Sequence, residues 1–190
     1  MSIQLKNTEM KYGPIAQLFH WVIVVLVVTQ FVLALRADGL PRGPALVHTL
    51  ALHKSVGITI FALAILRLTW RWLNPVPPMP PSSPRWQHVA ARISHIALYS
   101  LLLIMPLFGW LMSSARNFPV SWFGVATLPD LIGPSEQAFD FFHEGHKLLA
   151  KVLFVLALLH IAAALKHHFI DRDDVLLRML PWNRKRETGH

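Results

Sequence analysis

Four histidines are set inside apolar runs: His20 in FHWVIVVLVV, His53 in LALHKSVGITIF, and His146 and His160 at the two ends of HKLLAKVLFVLALLH. An imidazole in such a run forfeits its hydrogen bonds to water, so it persists where another group replaces them. His146 and His160 are fourteen residues apart and His167 lies seven further on, so on an ideal helix all three fall on one slowly drifting stripe. Fourteen residues rise about 21 Å, nearly the thickness of a bilayer's hydrocarbon, so no single ion touches both His146 and His160. With alternating helix directions, His20, about a turn and a half inside the first run, meets the depth of His160. His53, opening the second run from the other side, meets the depth of His146. Two His–His pairs stacked across a membrane follow. Imidazoles facing one another across a bundle are the usual axial ligands of a low-spin b-type haem, whereas tetrahedral zinc calls for about four ligands at each site. A lone interior histidine is more often a hydrogen-bonded packing residue, and the matched depths set these four apart from that reading. Gly57, one turn after His53, and Gly109 can admit a porphyrin edge, or can simply be the small residues common at membrane-helix contacts.

The elements that position these side chains are apolar spans. Of the 190 residues 54% are hydrophobic and 15% charged, against about 25% charged in a soluble domain. Runs long enough to cross a bilayer lie at Ile15–Leu35, Leu50–Leu73, Ile93–Ser113 and His146–Phe169. The expectation is an all-α integral membrane protein, one four-helix bundle over residues 1–190. The first run lacks the small-residue cleavage motif of a secretory signal and is expected to remain as a span. A formal charge of +8 raises the question of nucleic acid, but the basic residues flank the spans and do not form one aromatic-studded face, so none is expected to bind. Lys6, Lys11, Arg67, Arg71, Arg85, Arg92, Lys166, Arg172, Arg178, Arg184, Lys185 and Arg186 fall at one side, against Arg36, Arg42, Lys54, Arg116 and Lys147 at the other. The positive-inside rule then puts both termini in the cytoplasm. Cysteine is absent, so a metal or cofactor must be held by histidine or carboxylate. NPVPPMPPSSP, Asn74 to Pro84, reads as an extended strap, and the aromatic-rich loop from Ser114 to Gly145 reads as a cap over the external end.

In this order and spacing, FHW at Phe19–Trp21, LHKSVGI at Leu52–Ile58, LRLTWRWLNPVPP at Leu66–Pro78, SHIALYSLLLIMPLFGWLMSSA at Ser94–Ala115, WFG at Trp122–Gly124, HKLLAKVLFVLALLH at His146–His160, HHF at His167–Phe169 and LLRMLP at Leu176–Pro181 resemble the bacterial cytochrome b561 family, and within it the superoxide oxidase branch. The resemblance covers nearly the whole chain. It implies two haem b groups with axial pairs His20/His160 and His53/His146, the same four residues that depth selects. It also implies a ubiquinone site lined by His167 near the cytoplasmic haem, and Arg67 and Arg71 as partners of haem propionates. A headgroup-solvated boundary residue is the equal alternative for His167. His95 matches a family histidine and has no ligand role to fill; His143 and His168 read as interfacial.

The activity so implied is electron transfer from superoxide, outside the inner membrane of a bacterium, through the external and then the cytoplasmic haem to ubiquinone. His167 is the candidate proton donor, since imidazole titrates near neutral pH. Lys54 and Lys147, each directly after an external ligand, are the candidate contacts for the anion, with Arg42, Arg116 and Lys151 in support. Asp38, Asp130, Glu136, Asp140 and Glu144 on the same side oppose any strong field. The alternative is a quinone-linked anchor passing electrons to or from a periplasmic dehydrogenase or redox protein; a histidine-lined metal or ion transporter is the third reading.

Overall fold

The computed structural model describes residues 5–81 and 83–181; Arg184, Lys185 and Arg186, part of the charge asymmetry above, lie outside them. Four helices, α1 (Pro14–Asp38), α2 (Pro44–Leu73), α3 (Arg85–Ala115) and α4 (Glu136–Phe169), are each long and apolar enough to cross a membrane. α1 and α2 start with proline at the first turn, where its missing N–H costs no hydrogen bond. α4 starts at Ser135, whose hydroxyl accepts the Ala138 N–H at 3.2 Å.

All four helices reach beyond the apolar runs that mark them. α3 begins at Arg85, eight residues before the run, because the amphipathic turn Arg85–Arg92 continues the helix out of the hydrocarbon. α4 begins at Glu136 and absorbs much of the expected cap. What remains of that loop forms a small hairpin, β1 (Val120–Trp122) against β2 (Ala126–Leu128), with Trp122 opposite Ala126. Phe123 and Gly124 both take positive φ, 50° and 74°, as the tight turn of a twisted hairpin requires.

The helices form two pairs, α1 on α2 and α3 on α4, joined where α2 meets α3; α1 and α4 are not among the closely packed helices of the described residues. The apolar core lies within the first three, at Ile23, Val56, Ile60, Ala64 and Leu102. α4 buries only Leu153 and His167. A helix this apolar that buries so few residues leaves room beside it inside the bundle on the side away from α3, and its outer residues, such as Val155, Leu159 and Ile161, face outward as lipid-facing residues do.

The first and last described segments, residues 5–13 and 170–181, lie at one end, the termini end. There Gln17 Nε2 donates to the Arg178 carbonyl at 3.1 Å and Trp21 Nε1 to the Met179 carbonyl at 2.9 Å, so the segment after α4 runs beneath the start of α1. The proline strap joins this floor: Arg178 Nη1 donates to the Pro78 carbonyl at 2.6 Å and Asn7 Nδ2 to the Pro75 carbonyl at 2.9 Å. At the opposite end, the loop end, the hairpin is pinned to α2. The Ser55 hydroxyl, 2% exposed as a residue, accepts the Phe123 N–H at 3.0 Å and faces the Ser121 and Ala51 carbonyls at 3.0 and 2.9 Å. Trp122 Nε1 donates to Thr59 Oγ1 at 3.0 Å. Ser55→Ala leaves the buried ends of the hairpin unpaired and is expected to lower stability by about 1–3 kcal/mol. Thermal unfolding in detergent, with limited proteolysis between residues 116 and 134, checks this; an unchanged midpoint and cleavage rate would show that the hairpin is held by packing alone.

Candidate redox centre

The gap beside α4 is bridged by imidazoles. His20 of α1 faces His160 of α4 with ring centres 6.4 Å apart, and His53 of α2 faces His146 of α4 at 6.2 Å, the rings of each pair crossed by 70° and 68°. A metal bonded at about 2 Å to one nitrogen of each of two rings holds their centres about 6 Å apart. Both pairs therefore have the separation that a shared ion needs, and neither is close enough for a direct hydrogen bond between its rings. The first pair sits toward the termini and the second toward the loops, as their depths in the sequence require.

The other ring nitrogens complete the picture. His146 Nδ1 lies 3.0 Å from the Met105 carbonyl and is the donor in that bond, which frees Nε2 to face the partner ring. Pro106, inside α3, removes the helical donor to the Leu102 carbonyl, and the Met105 carbonyl beside it bonds the ring through its second lone pair. Gly109, on the next turn, completes the device, since a Cβ there would stand 3.3 Å from His146 Cε1. The buried Nδ1 atoms of His20 and His53 have no hydrogen-bond partner among the described residues. The Gln30 backbone is the polar neighbour of His53. One imidazole of each pair, His20 and His53, thus keeps a buried nitrogen without a protein partner, and the separation within each pair fits a metal-centred group held between its rings.

Around the loop-end pair is a cavity of about 390 Å³, lined by side chains of all four helices, among them Gln30, Phe31, Leu102, Trp110 and Leu153. It is of a size for a cofactor and predominantly apolar, as a macrocycle prefers. Gly57 lies on it, but the place its missing Cβ leaves is taken by Gln30, whose Nε2 is 3.1 Å from where that Cβ would stand. Gly57 leaves room for an amide of α1 and Gly109 for the ring of His146, and both glycines line the cavity beside the His53/His146 pair. Gln30 is 8% exposed, mid-span, with its Oε1 unpaired. Its sequence signal is a lone glutamine in the apolar stretch VLVVTQFVLAL.

At the termini end three imidazoles meet. His95 of α3 stacks edge-on against His160 at 5.6 Å, so it joins the shell of the His20/His160 pair. Arg67 is a charged neighbour of His20 and His160 and lies over the Tyr99 ring at 5.4 Å; Arg71 is a neighbour of His95. Neither arginine has a carboxylate partner among the described residues, which suits both to an anionic group such as a propionate. His167 is buried one turn and more beyond, 8% exposed, with Nδ1 2.6 Å from Asp173 Oδ2. Asp173 falls outside the membrane run and pairs through a loop, which is why sequence spacing did not bring it to notice.

The lysines are less free than their positions in the sequence suggest. Lys54 Nζ reaches the Phe118 and Pro119 carbonyls at 3.3 and 3.4 Å, and Lys147 pairs with Glu144 at 3.1 Å. Both line the loop-end cavity, together with Asp38, His143 and Lys151. His143 stacks on Phe139 and pairs with Glu144 at 3.2 Å, an interfacial role.

The model of the family described as prokaryotic cytochrome b561 matches residues 11–182. The chain belongs to the prokaryotic cytochrome b561 family. It is 39% identical to cytochrome b561 homolog 2 of Escherichia coli (strain K12) over 176 residues, 92% of this chain and 93% of the relative. Identity is 28% to cytochrome b561 homolog 1 of the same strain, covering 85% of this chain and 92% of that one. It is 27% to the probable superoxide oxidase CybB of Yersinia pestis, covering 92% and 98%. The chain is thus a multi-pass membrane protein of an electron-transferring, haem b-binding family. As a cytochrome b561 it should respond to crowding at its imidazoles. Gly109→Val is expected to displace His146 and reduce b-type haem absorbance per protein. Full absorbance in this variant would show that the Gly109 contact does not govern His146.

Proposed function

We propose that this cytochrome holds two haem b groups, one on His20 and His160 and one on His53 and His146, and passes electrons from superoxide to ubiquinone. The observation that carries the reading is the two imidazole pairs at 6.4 and 6.2 Å, at opposite ends of one bundle. When bound, haem supplies one-electron redox chemistry, and with histidine on both axial positions it favours electron transfer over oxygen binding at iron. Overall, two superoxide anions each give up one electron and leave as dioxygen, while one ubiquinone takes up two electrons and two protons and leaves as ubiquinol.

The chain's own residues supply the rest. Arg67 and Arg71 hold carboxylates at the termini end, and the Met105 carbonyl fixes the tautomer of His146. The apolar cavity walls exclude water around the loop-end pair. Lys151, which lines the mouth of that cavity and has no ion-pair partner among the described residues, is the cation best placed to attract an anion; Lys54 and Lys147 contribute charge that is partly engaged. His167 holds a proton at Nε2 for the quinone. The distribution of basic residues supports a cytoplasmic location for both termini in a bacterial inner membrane, which makes the loop end external.

The anchor reading, in which the same centres serve a periplasmic dehydrogenase or redox protein, shares both imidazole pairs with the enzyme reading, and identity to the probable superoxide oxidase is 27%. Purified protein separates the two, because superoxide-driven ubiquinone reduction by the chain unaided supports the enzyme, and its absence with intact haems supports the anchor. His53→Ala and His146→Ala are each expected to lose the loop-end haem and keep the other, with His20→Ala and His160→Ala the reverse; two intact haems in all four would overturn the assignment. Lys151→Gln is expected to slow superoxide oxidation several-fold at low ionic strength and little at high. A rate indifferent to salt in both forms would remove electrostatic guidance from the account.

A further inference from the structure

The last turn of α4 carries a charge arrangement that the two imidazole pairs lack. His167 Nδ1 stands 2.6 Å from Asp173 Oδ2 and 3.4 Å from Asp171 Oδ2. Both carboxylates are held in turn. Lys166 Nζ lies 2.6 and 2.7 Å from the Asp171 oxygens, and Asp173 Oδ1 accepts the Val175 N–H at 3.0 Å while the Asp173 N–H donates to the His167 carbonyl at 3.0 Å. Arg172, between them, takes φ 54°, a left-handed conformation that a residue with a Cβ adopts at some cost, and it is this turn that brings Asp173 back over the helix end. The three ligand-type atoms of His167, Asp171 and Asp173 lie within 4.8 Å of one another, but the cation there is already supplied by Lys166. None of His20, His53 and His146 has a carboxylate partner among the described residues; His146 uses a neutral carbonyl, and the other two leave Nδ1 unpaired. The chain thus treats His167 differently from its ligand histidines.

We infer that Asp173 is a positioning residue for quinone protonation: its carboxylate keeps the proton of His167 on Nδ1 and so makes Nε2 the ring nitrogen that gives a proton to the quinone oxygen. The inference rests on the reading that His167 contacts the quinone. The logic is that of a carboxylate fixing a catalytic imidazole's tautomer and orientation while staying ionised itself. Each proton that leaves Nε2 for a quinone oxygen converts imidazolium to the Nδ1–H imidazole, and one proton from water at the termini end restores it. Two such transfers accompany the two electrons that reduce one quinone to quinol, and Asp173 neither gains nor loses a proton. Asp171, exposed and paired with Lys166, lies at the aqueous edge of this group.

The test uses the purified haem-loaded protein with Asp173→Asn, Asp173→Glu and His167→Leu variants. The haems are first reduced chemically, and their reoxidation by a short-chain ubiquinone is followed by stopped flow in H2O and D2O. For Asp173→Asn, reoxidation is expected to slow on the order of 10²-fold, with a larger solvent isotope effect. The haem spectrum and the rate of haem reduction should stay unchanged, and Asp173→Glu should recover most of the rate. His167→Leu should be at least as slow. If His167→Leu is slow and Asp173→Asn matches wild type in rate and isotope effect, the role of Asp173 is overturned while the quinone reading stands. If His167→Leu itself matches wild type, the quinone reading at His167 fails and the inference falls with it. A slow Asp173→Asn with an unaltered isotope effect and a lowered thermal midpoint would mark a purely structural tie and also overturn the inference.

Discussion

A polar ring in hydrocarbon must be given something to bind, and the architecture of this protein follows from that requirement met four times over. The imidazole pairs stand 6.2 and 6.4 Å apart, too far to satisfy one another and close enough to share a metal. To keep them at that distance the bundle cannot close: α1 packs on α2 and α3 on α4, and the space between the pairs is left to the rings. The burial expected of a helix is correspondingly withheld from α4, whose apolar surface divides between lipid and the interior gap. A soluble bundle with one apolar helix so little buried would be at risk of losing it. In a bilayer the outer face needs no protein partner, and the helix is retained by the membrane and by its packing on α3.

Small irregularities in the helices carry the positioning. The Met105 carbonyl of α3 pairs with His146, Gly109 leaves the ring its place, and Gly57 does the same for the Gln30 amide. These are positions where a regular apolar helix would be more stable in isolation and less able to hold its neighbour's side chain. The loop-end hairpin and the termini-end floor act differently, tying helices together through backbone carbonyls: Ser121, Phe118 and Pro119 at one end, Arg178, Met179 and Pro78 at the other. Such bonds are placed where water competes, outside the hydrocarbon.

The spans and the four central histidines were legible in the sequence because both signals are carried by the membrane itself: hydropathy marks where lipid is, and a polar residue inside a marked span is conspicuous. The true helix ends were not, since Arg85–Arg92 and Glu136–His143 are helical but polar or mixed, and a hydropathy window records the hydrocarbon and not the hydrogen-bond ladder. His53 read as the opening of its span and instead lies between two and three turns inside α2. Met105 could not be found by residue type because it acts through its carbonyl, though a proline followed by glycine within a span, as in MPLFG, was a usable hint. Asp173 was hidden for another reason: it meets His167 only because the chain reverses at Arg172.

One consequence follows from α4 lending a histidine to each pair. The two centres are registered on a single rod, so the interval between them is set by helical rise, about 21 Å between the backbone positions of His146 and His160, and not by how the four helices happen to pack. Breathing of the bundle opens or narrows the gaps to α1 and α2 but leaves that interval unchanged. On the proposed two-haem reading, a transfer rate that falls steeply with distance would thereby be protected from the softness of its lipid surroundings, with the helix serving as a ruler.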